Sequence, residues 1–102
     1  NSVIYCQDYN ELLANSLDAV FVCLPNYLAA EVTIAALERG CHVFCEKPPA
    51  RSLEELIRVR SVEREKPELK LMYGFNHRYH SSVQEALRII RSGELGEVIN
   101  IC

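Results

Sequence analysis

Apolar and polar positions alternate in two rhythms along the chain. Short continuous apolar runs, "DAVFVCL" (Asp18–Leu24), "CHVFC" (Cys41–Cys45) and "LKLMYGF" (Leu69–Phe75), have strand length and β-forming composition. The first is the pattern of a strand covered on both faces, stopped by Pro25. Between the runs lie segments of helical period. "NYLAAEVTIAALERG" predicts a helix that Asn26 caps and Gly40 closes in the left-handed conformation. It is apolar on most sides, which suits packing on a sheet. "SLEELIRVRSVERE" opens on Ser52 with Glu55 three residues on, a capping box. Leu53, Leu56, Ile57 and Val59 supply its apolar stripe, and Pro67 bars continuation. A second capping box, Ser82 with Glu85, opens "SVQEALRIIRSG", which Gly93 closes. A short helix over Tyr9–Leu13 takes Asp8 as its cap, and Val98–Cys102 begins a last strand.

Strands alternating with helices at this spacing predict βαβ units and a parallel sheet, an α/β fold. In an open parallel sheet, ligands bind beyond the carboxyl ends of the strands. The three runs end in Pro25-Asn26, Glu46-Lys47-Pro48 and Asn76-His77-Arg78, so three polar clusters should meet on one edge. Glu46 offers acceptors for ribose or sugar hydroxyls. Lys47 offers a mobile cation that orients a carbonyl or hydroxyl, or exchanges a proton with it. Pro48 fixes the backbone and is able to hold a cis peptide that aims the lysine. Arg78 suits an anionic substrate or a cofactor phosphate. The plainer alternatives are a solvated Glu-Lys pair, an asparagine turn at Asn76, and a surface arginine paired with a helix acid. His77 and His80 stand three apart, but no Cys, Asp or Glu completes a metal set beside them, and no metal is expected. No serine nucleophile motif and no P-loop occur in the sequence.

Composition narrows the picture. At 102 residues the chain makes one domain at most, and 49% apolar with 25% charged residues is ordinary for a globular protein. A net charge of -3 gives no electrostatic reason to expect nucleic acid or an anionic membrane as partner. The apolar runs are too short to span a bilayer, and "NSVIYCQDYNELL" does not read as a signal peptide. The five cysteines, at positions 6, 23, 41, 45 and 102, mostly sit in apolar runs. They read as small buried hydrophobes in a reducing cytosol. Cys41 and Cys45 on one strand would be about 13 Å apart, too far for a disulfide, with His42 turned to the opposite face.

The linked set "DAVFVCLPN", "AALERGCHVFCEKPPARSLEEL", "KLMYGFNHRYH" and "SGELGEVINI" resembles the nicotinamide-dependent oxidoreductases of the Gfo/Idh/MocA family across almost all of the chain. The resemblance implies a partial Rossmann-type sheet with flanking helices over residues 1–96, and the start of an α/β substrate domain over 97–102. It implies NAD or NADP as cofactor, met by Leu24, Pro25, Asn26, Glu46, Lys47, Pro48 and Asn76. Lys47 would be catalytic and, with Arg78, would bind a sugar, cyclitol or sugar-nucleotide substrate. The intact protein would be a cytoplasmic homo-oligomer. Where the family often carries a histidine after "PN", this chain has Tyr27 and Ala29, which removes a possible polar contact with substrate.

Three family features are missing, one of them the strand end whose acidic or basic residue would choose NAD over NADP. The four glycines, Gly40, Gly74, Gly93 and Gly96, form no G-x-G-x-x-G pyrophosphate turn. The family's histidine of the second domain has no counterpart either. These gaps imply an internal piece of an oxidoreductase, inactive alone. The competing reading is a non-enzymatic α/β interaction module whose exposed strand edges serve association.

Overall fold

A computed structural model describes residues 3–100. In chain order it contains α1 (Tyr9–Leu13), β1 (Ala19–Val22), α2 (Asn26–Glu38), β2 (His42–Cys45), α3 (Leu53–Glu65), β3 (Leu71–Tyr73), a 3-10 turn (Asn76–Tyr79) and α4 (Ser81–Ser92). The strands form one parallel sheet in the order β1-β2-β3. Their last residues stand level, with Val22 opposite Cys45 and Cys45 opposite Tyr73. The predicted α/β architecture is therefore present, with strands shorter than their apolar runs.

The core lies between the sheet and α2. Ala29, Ala30, Val32, Thr33, Ala36 and Leu37 of α2 are buried over Val20, Val22, Val43 and Cys45. The helix ends as its sequence predicts. The Cys41 N–H donates to the Ala36 carbonyl at 3.0 Å and the Gly40 N–H to the Leu37 carbonyl at 3.0 Å, with Gly40 at φ 81°. This two-bond closure needs a residue in the left-handed region, where glycine carries no Cβ penalty. It turns the chain directly into β2, with Cys41 buried against the helix end.

Several local expectations are corrected. Asn26 does not cap α2. Pro25, at φ -55°, is the cap residue, and its carbonyl accepts the first helical bonds from Leu28 and Ala29. Proline has no side-chain acceptor, so this helix start lacks a side-chain cap. Ser52 does cap α3, accepting from the Glu55 N–H at 3.3 Å. The Glu55 carboxylate, however, accepts from the Arg51 N–H at 2.8 Å instead of the Ser52 N–H, drawn there by its ion pair with the Arg51 guanidinium. The Ser82–Glu85 box does not form: the cap position falls two residues earlier, on His80, and Glu85 pairs with Arg88.

The face that α3 buries is also rotated from the expected stripe. Glu55 and Val59 are buried with Leu56 and Val62 half-buried, while Leu53 and Ile57 remain exposed. The chain at Val98–Asn100 is not in a strand, and the rest of that expected strand lies outside the described residues.

β1 is not covered on both faces. Two parallel crossovers running in the same direction along the sheet put both connecting helices on one side. Among the described residues, the opposite face leaves Phe21 72% exposed, stacked obliquely on Phe44 with ring centroids 5.5 Å apart, and Met72 exposed nearby. The cysteines behave as expected of small hydrophobes at Cys41 and Cys45, which are buried and free; Cys23 is exposed. His42 is exposed, turned from both, and its Nδ1 accepts from the Lys70 N–H at 3.0 Å. No helix among the described residues is long and apolar enough to cross a membrane.

Candidate active site

The level strand ends bring the three polar clusters to one edge of the sheet. Hydrogen bonding continues one residue past each strand. The Glu46 N–H donates to the Val22 carbonyl at 2.9 Å, and the Gly74 N–H to the Cys45 carbonyl at 2.9 Å. Glu46 and Gly74 are thus fixed side by side at the end of the ladder. The chain then turns sharply at Phe75, whose φ of -77° and ψ of 68° make an inverse γ-turn, closed by the Asn76 N–H on the Gly74 carbonyl at 2.9 Å. That turn reverses the backbone into the 3-10 segment and carries Asn76, His77 and Arg78 back over Lys47.

The result is a cavity of about 380 Å3 lined by Lys47, Gly74, Phe75, Asn76, His77 and Arg78. Lys47 is exposed and forms no ion pair among the described residues, and its bond to Pro48 is cis. Arg78 is partly held, its Nε donating to the Phe75 carbonyl at 3.2 Å. The half-buried Glu46 carboxylate lies behind the lysine and accepts from the Lys47 N–H at 3.2 Å. A mobile ammonium, a guanidinium and an amide around one opening suit a ligand rich in hydroxyl or carbonyl oxygens. In the core at the ends of β2 and β3, burial pushes the Cys45 thiol up and raises the Tyr73 hydroxyl to about 12. Both groups are therefore held in the neutral form.

Of the residues singled out from sequence, Lys47, Asn76 and Arg78 share this cavity and Glu46 abuts it. Leu24, Pro25 and Asn26 lie at the same sheet edge beyond β1, all exposed, and do not line it. Leu24 instead borders a separate apolar groove with Tyr5, Phe21 and Leu28. Gly74 and Phe75 were missed as cavity walls, and position just beyond β3 was the signal for them; His77, part of the third expected cluster, lines the cavity beside Asn76 and Arg78. His77 and His80 stack at 4.9 Å between ring centroids, and no cluster of three metal-ligating side chains occurs among the described residues.

A polar cleft beyond the carboxyl ends of parallel strands is the ligand-binding position of open α/β folds, the nucleotide-binding ones among them. Comparison with known proteins sharpens this. The family model for oxidoreductases with an NAD-binding Rossmann fold, Gfo/Idh/MocA, matches residues 1–75, and the chain belongs to that family. It is 38% identical over 98 residues to D-glucoside 3-dehydrogenase of Escherichia coli, covering 96% of this chain and 28% of the relative. It is 42% identical over 94 residues to D-xylose 1-dehydrogenase (NADP(+)) 2 of Haloferax volcanii, covering 91% and 28%. The fold superimposes on scyllo-inositol dehydrogenase from Lactobacillus casei with bound NAD(H) and scyllo-inositol at a TM-score of 0.85. That pair is 28% identical, over 89% of this chain and 27% of the other. The chain thus spans little more than a quarter of the length of these relatives.

Proposed function

We propose that this chain is the nicotinamide-facing part of an oxidoreductase acting on a CH–OH group of a sugar, cyclitol or sugar nucleotide. Residues 1–96 are the partial dinucleotide-binding unit, and 97–102 lead into a substrate domain. The observation that carries the reading is the gathering of Lys47, Asn76 and Arg78 around one cavity at the level ends of parallel strands, in a member of an NAD-binding family.

The residues present fit one end of the cofactor. The half-buried Glu46 carboxylate suits a ribose hydroxyl, with Asn76 on the cavity wall; Leu24, Pro25 and Asn26 at the β1 end of the same edge and Pro48 after the lysine are the further cofactor contacts of this reading. Among the described residues no glycine-rich turn grips a pyrophosphate: Gly40 and Gly93 close helices, Gly96 stands alone in the turn after α4, and Gly74 is packed against Glu46. When bound, NAD or NADP supplies the hydride acceptor. In the oxidation direction the Lys47 side chain, as the neutral amine, accepts the proton of the substrate hydroxyl; in the reduction direction its ammonium donates that proton to the carbonyl oxygen. Arg78 steers and holds the substrate's polar groups. The relatives' names motivate the substrate class, since they act on a glucoside and on xylose.

The test is Lys47→Ala in the complete oxidoreductase. Lys47 is exposed, so folding is unaffected, while turnover falls about 100-fold or more, the usual size of an acid–base contribution. Unchanged turnover would remove Lys47 from the mechanism. The 102 residues alone should neither turn over nor bind cofactor tightly; micromolar NADH affinity in a fluorescence titration would contradict that.

A further inference from the structure

Gly74 is buried at the end of β3, and its backbone lies outside the left-handed region, so conformation alone does not demand glycine there. The reason for glycine lies across the sheet. A Cβ at position 74 would stand 2.8 Å from Glu46 Oε2, 3.0 Å from its Cδ and 3.1 Å from Oε1. All three atoms belong to one carboxylate. The backbones of both residues are fixed by the ladder bonds to Cys45 and Val22, so only the Glu46 side chain is able to yield.

The oxygen that such a Cβ would meet most closely, Oε2, is the one that accepts from the Lys47 N–H at 3.2 Å. We infer that Gly74 is a positioning residue: its missing side chain is the space that holds the Glu46 carboxylate against the Lys47 amide, fixing the acceptor offered to the cofactor ribose. The inference rests on the reading of Glu46 as a cofactor contact. Alanine suits the backbone at position 74 and displaces only the flexible end of a side chain. Folding is therefore nearly unaffected, whereas the carboxylate must leave its place.

Gly74→Ala, Glu46→Ala and the double variant of the complete oxidoreductase test this by NADH titration and thermal unfolding. Gly74→Ala is expected to weaken NADH binding about tenfold, the loss of one well-made hydrogen bond to a charged group. In the Glu46→Ala background the same change should alter affinity by less than about twofold, because the two act as one unit. Equal losses in both backgrounds would overturn the inference. So would wild-type affinity in Gly74→Ala when Glu46→Ala binds weakly.

If Glu46→Ala binds NADH normally, the cofactor reading of Glu46 fails, and the unfolding cycle decides the packing claim by itself. A midpoint raised by Gly74→Ala only in the Glu46→Ala background supports the contact, and additive midpoints overturn it. Should Gly74→Ala fail to fold, folding of the double variant supports the contact and its failure overturns it.

Discussion

Replacing Thr33 by valine should stabilise this protein. Thr33 lies in α2, 1% exposed, and its hydroxyl has no hydrogen-bond partner among the described residues. The Cys45 thiol is near enough to feel that hydroxyl, which opposes the upward push of burial on the thiol, but the two do not meet with hydrogen-bond geometry. A hydroxyl stripped of water without a replacement partner costs about 1–3 kcal/mol. Valine keeps the branched shape and a similar helix propensity, so the cost is removed with packing nearly intact. A net gain of about 1–2 kcal/mol follows. At about 4–8 °C per kcal/mol for a chain this size, the melting midpoint should rise by roughly 4–16 °C. Urea unfolding followed by circular dichroism should show a midpoint higher by about 1 M with an unchanged slope. Thr33→Ser is the control, since it keeps the hydroxyl and loses a buried methyl, and should lower stability by about 1 kcal/mol. An unchanged or lowered midpoint in Thr33→Val would refute the reasoning, because the hydroxyl would then have a partner.

Three further outcomes are expected. Arg51 holds the Glu55 carboxyl below the usual range through hydrogen bonds to its side chain and backbone. The pair's stabilisation is present above an unfolded-state value of about 4.3 and is lost as pH falls through the lower folded value. The urea midpoint should drop on acidification below that range, less steeply in Arg51→Gln; identical slopes would count against the pair. Burial raises Tyr73 to about 12, so its contribution is intact below an unfolded value near 10 and lost as pH rises through 12. Phenolate absorbance of Tyr73→Phe should lack one late-ionising group, and loss of an early one instead would contradict the burial. Phe21→Lys should reduce self-association of the chain in sedimentation experiments while leaving its midpoint within about 0.5 kcal/mol, because Phe21 is largely exposed. Unchanged association would mean that the bare sheet face is not the sticky surface.

The sequence was most legible where a local break coincides with a change of chemistry. Pro25, Glu46 and Gly40 each end an apolar pattern abruptly, and each sits at a real boundary: Pro25 at the start of α2, Glu46 at the end of β2, and Gly40 between α2 and β2. Other features depend on competition that spacing cannot weigh. Ser52 caps as expected, yet Glu55 prefers the residue before it because Arg51 contributes both an amide and a guanidinium. Glu85 has the capping spacing but Arg88 lies on its own helix face. The bare face of β1 was hidden because a continuous apolar run looks the same whether one side or both are covered. Gly74 escaped for a related reason: its role is set by the end of another strand's side chain, which no local pattern records.

The level alignment of Val22, Cys45 and Tyr73 works as a ruler for the chemistry that follows it. Side chains alternate across a strand, so one residue inserted into β2 would turn Glu46 toward α2 and send its neighbour to the far face. Two inserted residues would restore the faces but lift Lys47 about 7 Å above Asn76 and Arg78. Strand length here is therefore fixed in both parity and extent. The turns beyond the strands are not held to that parity, so a change of length there leaves the sheet itself undisturbed.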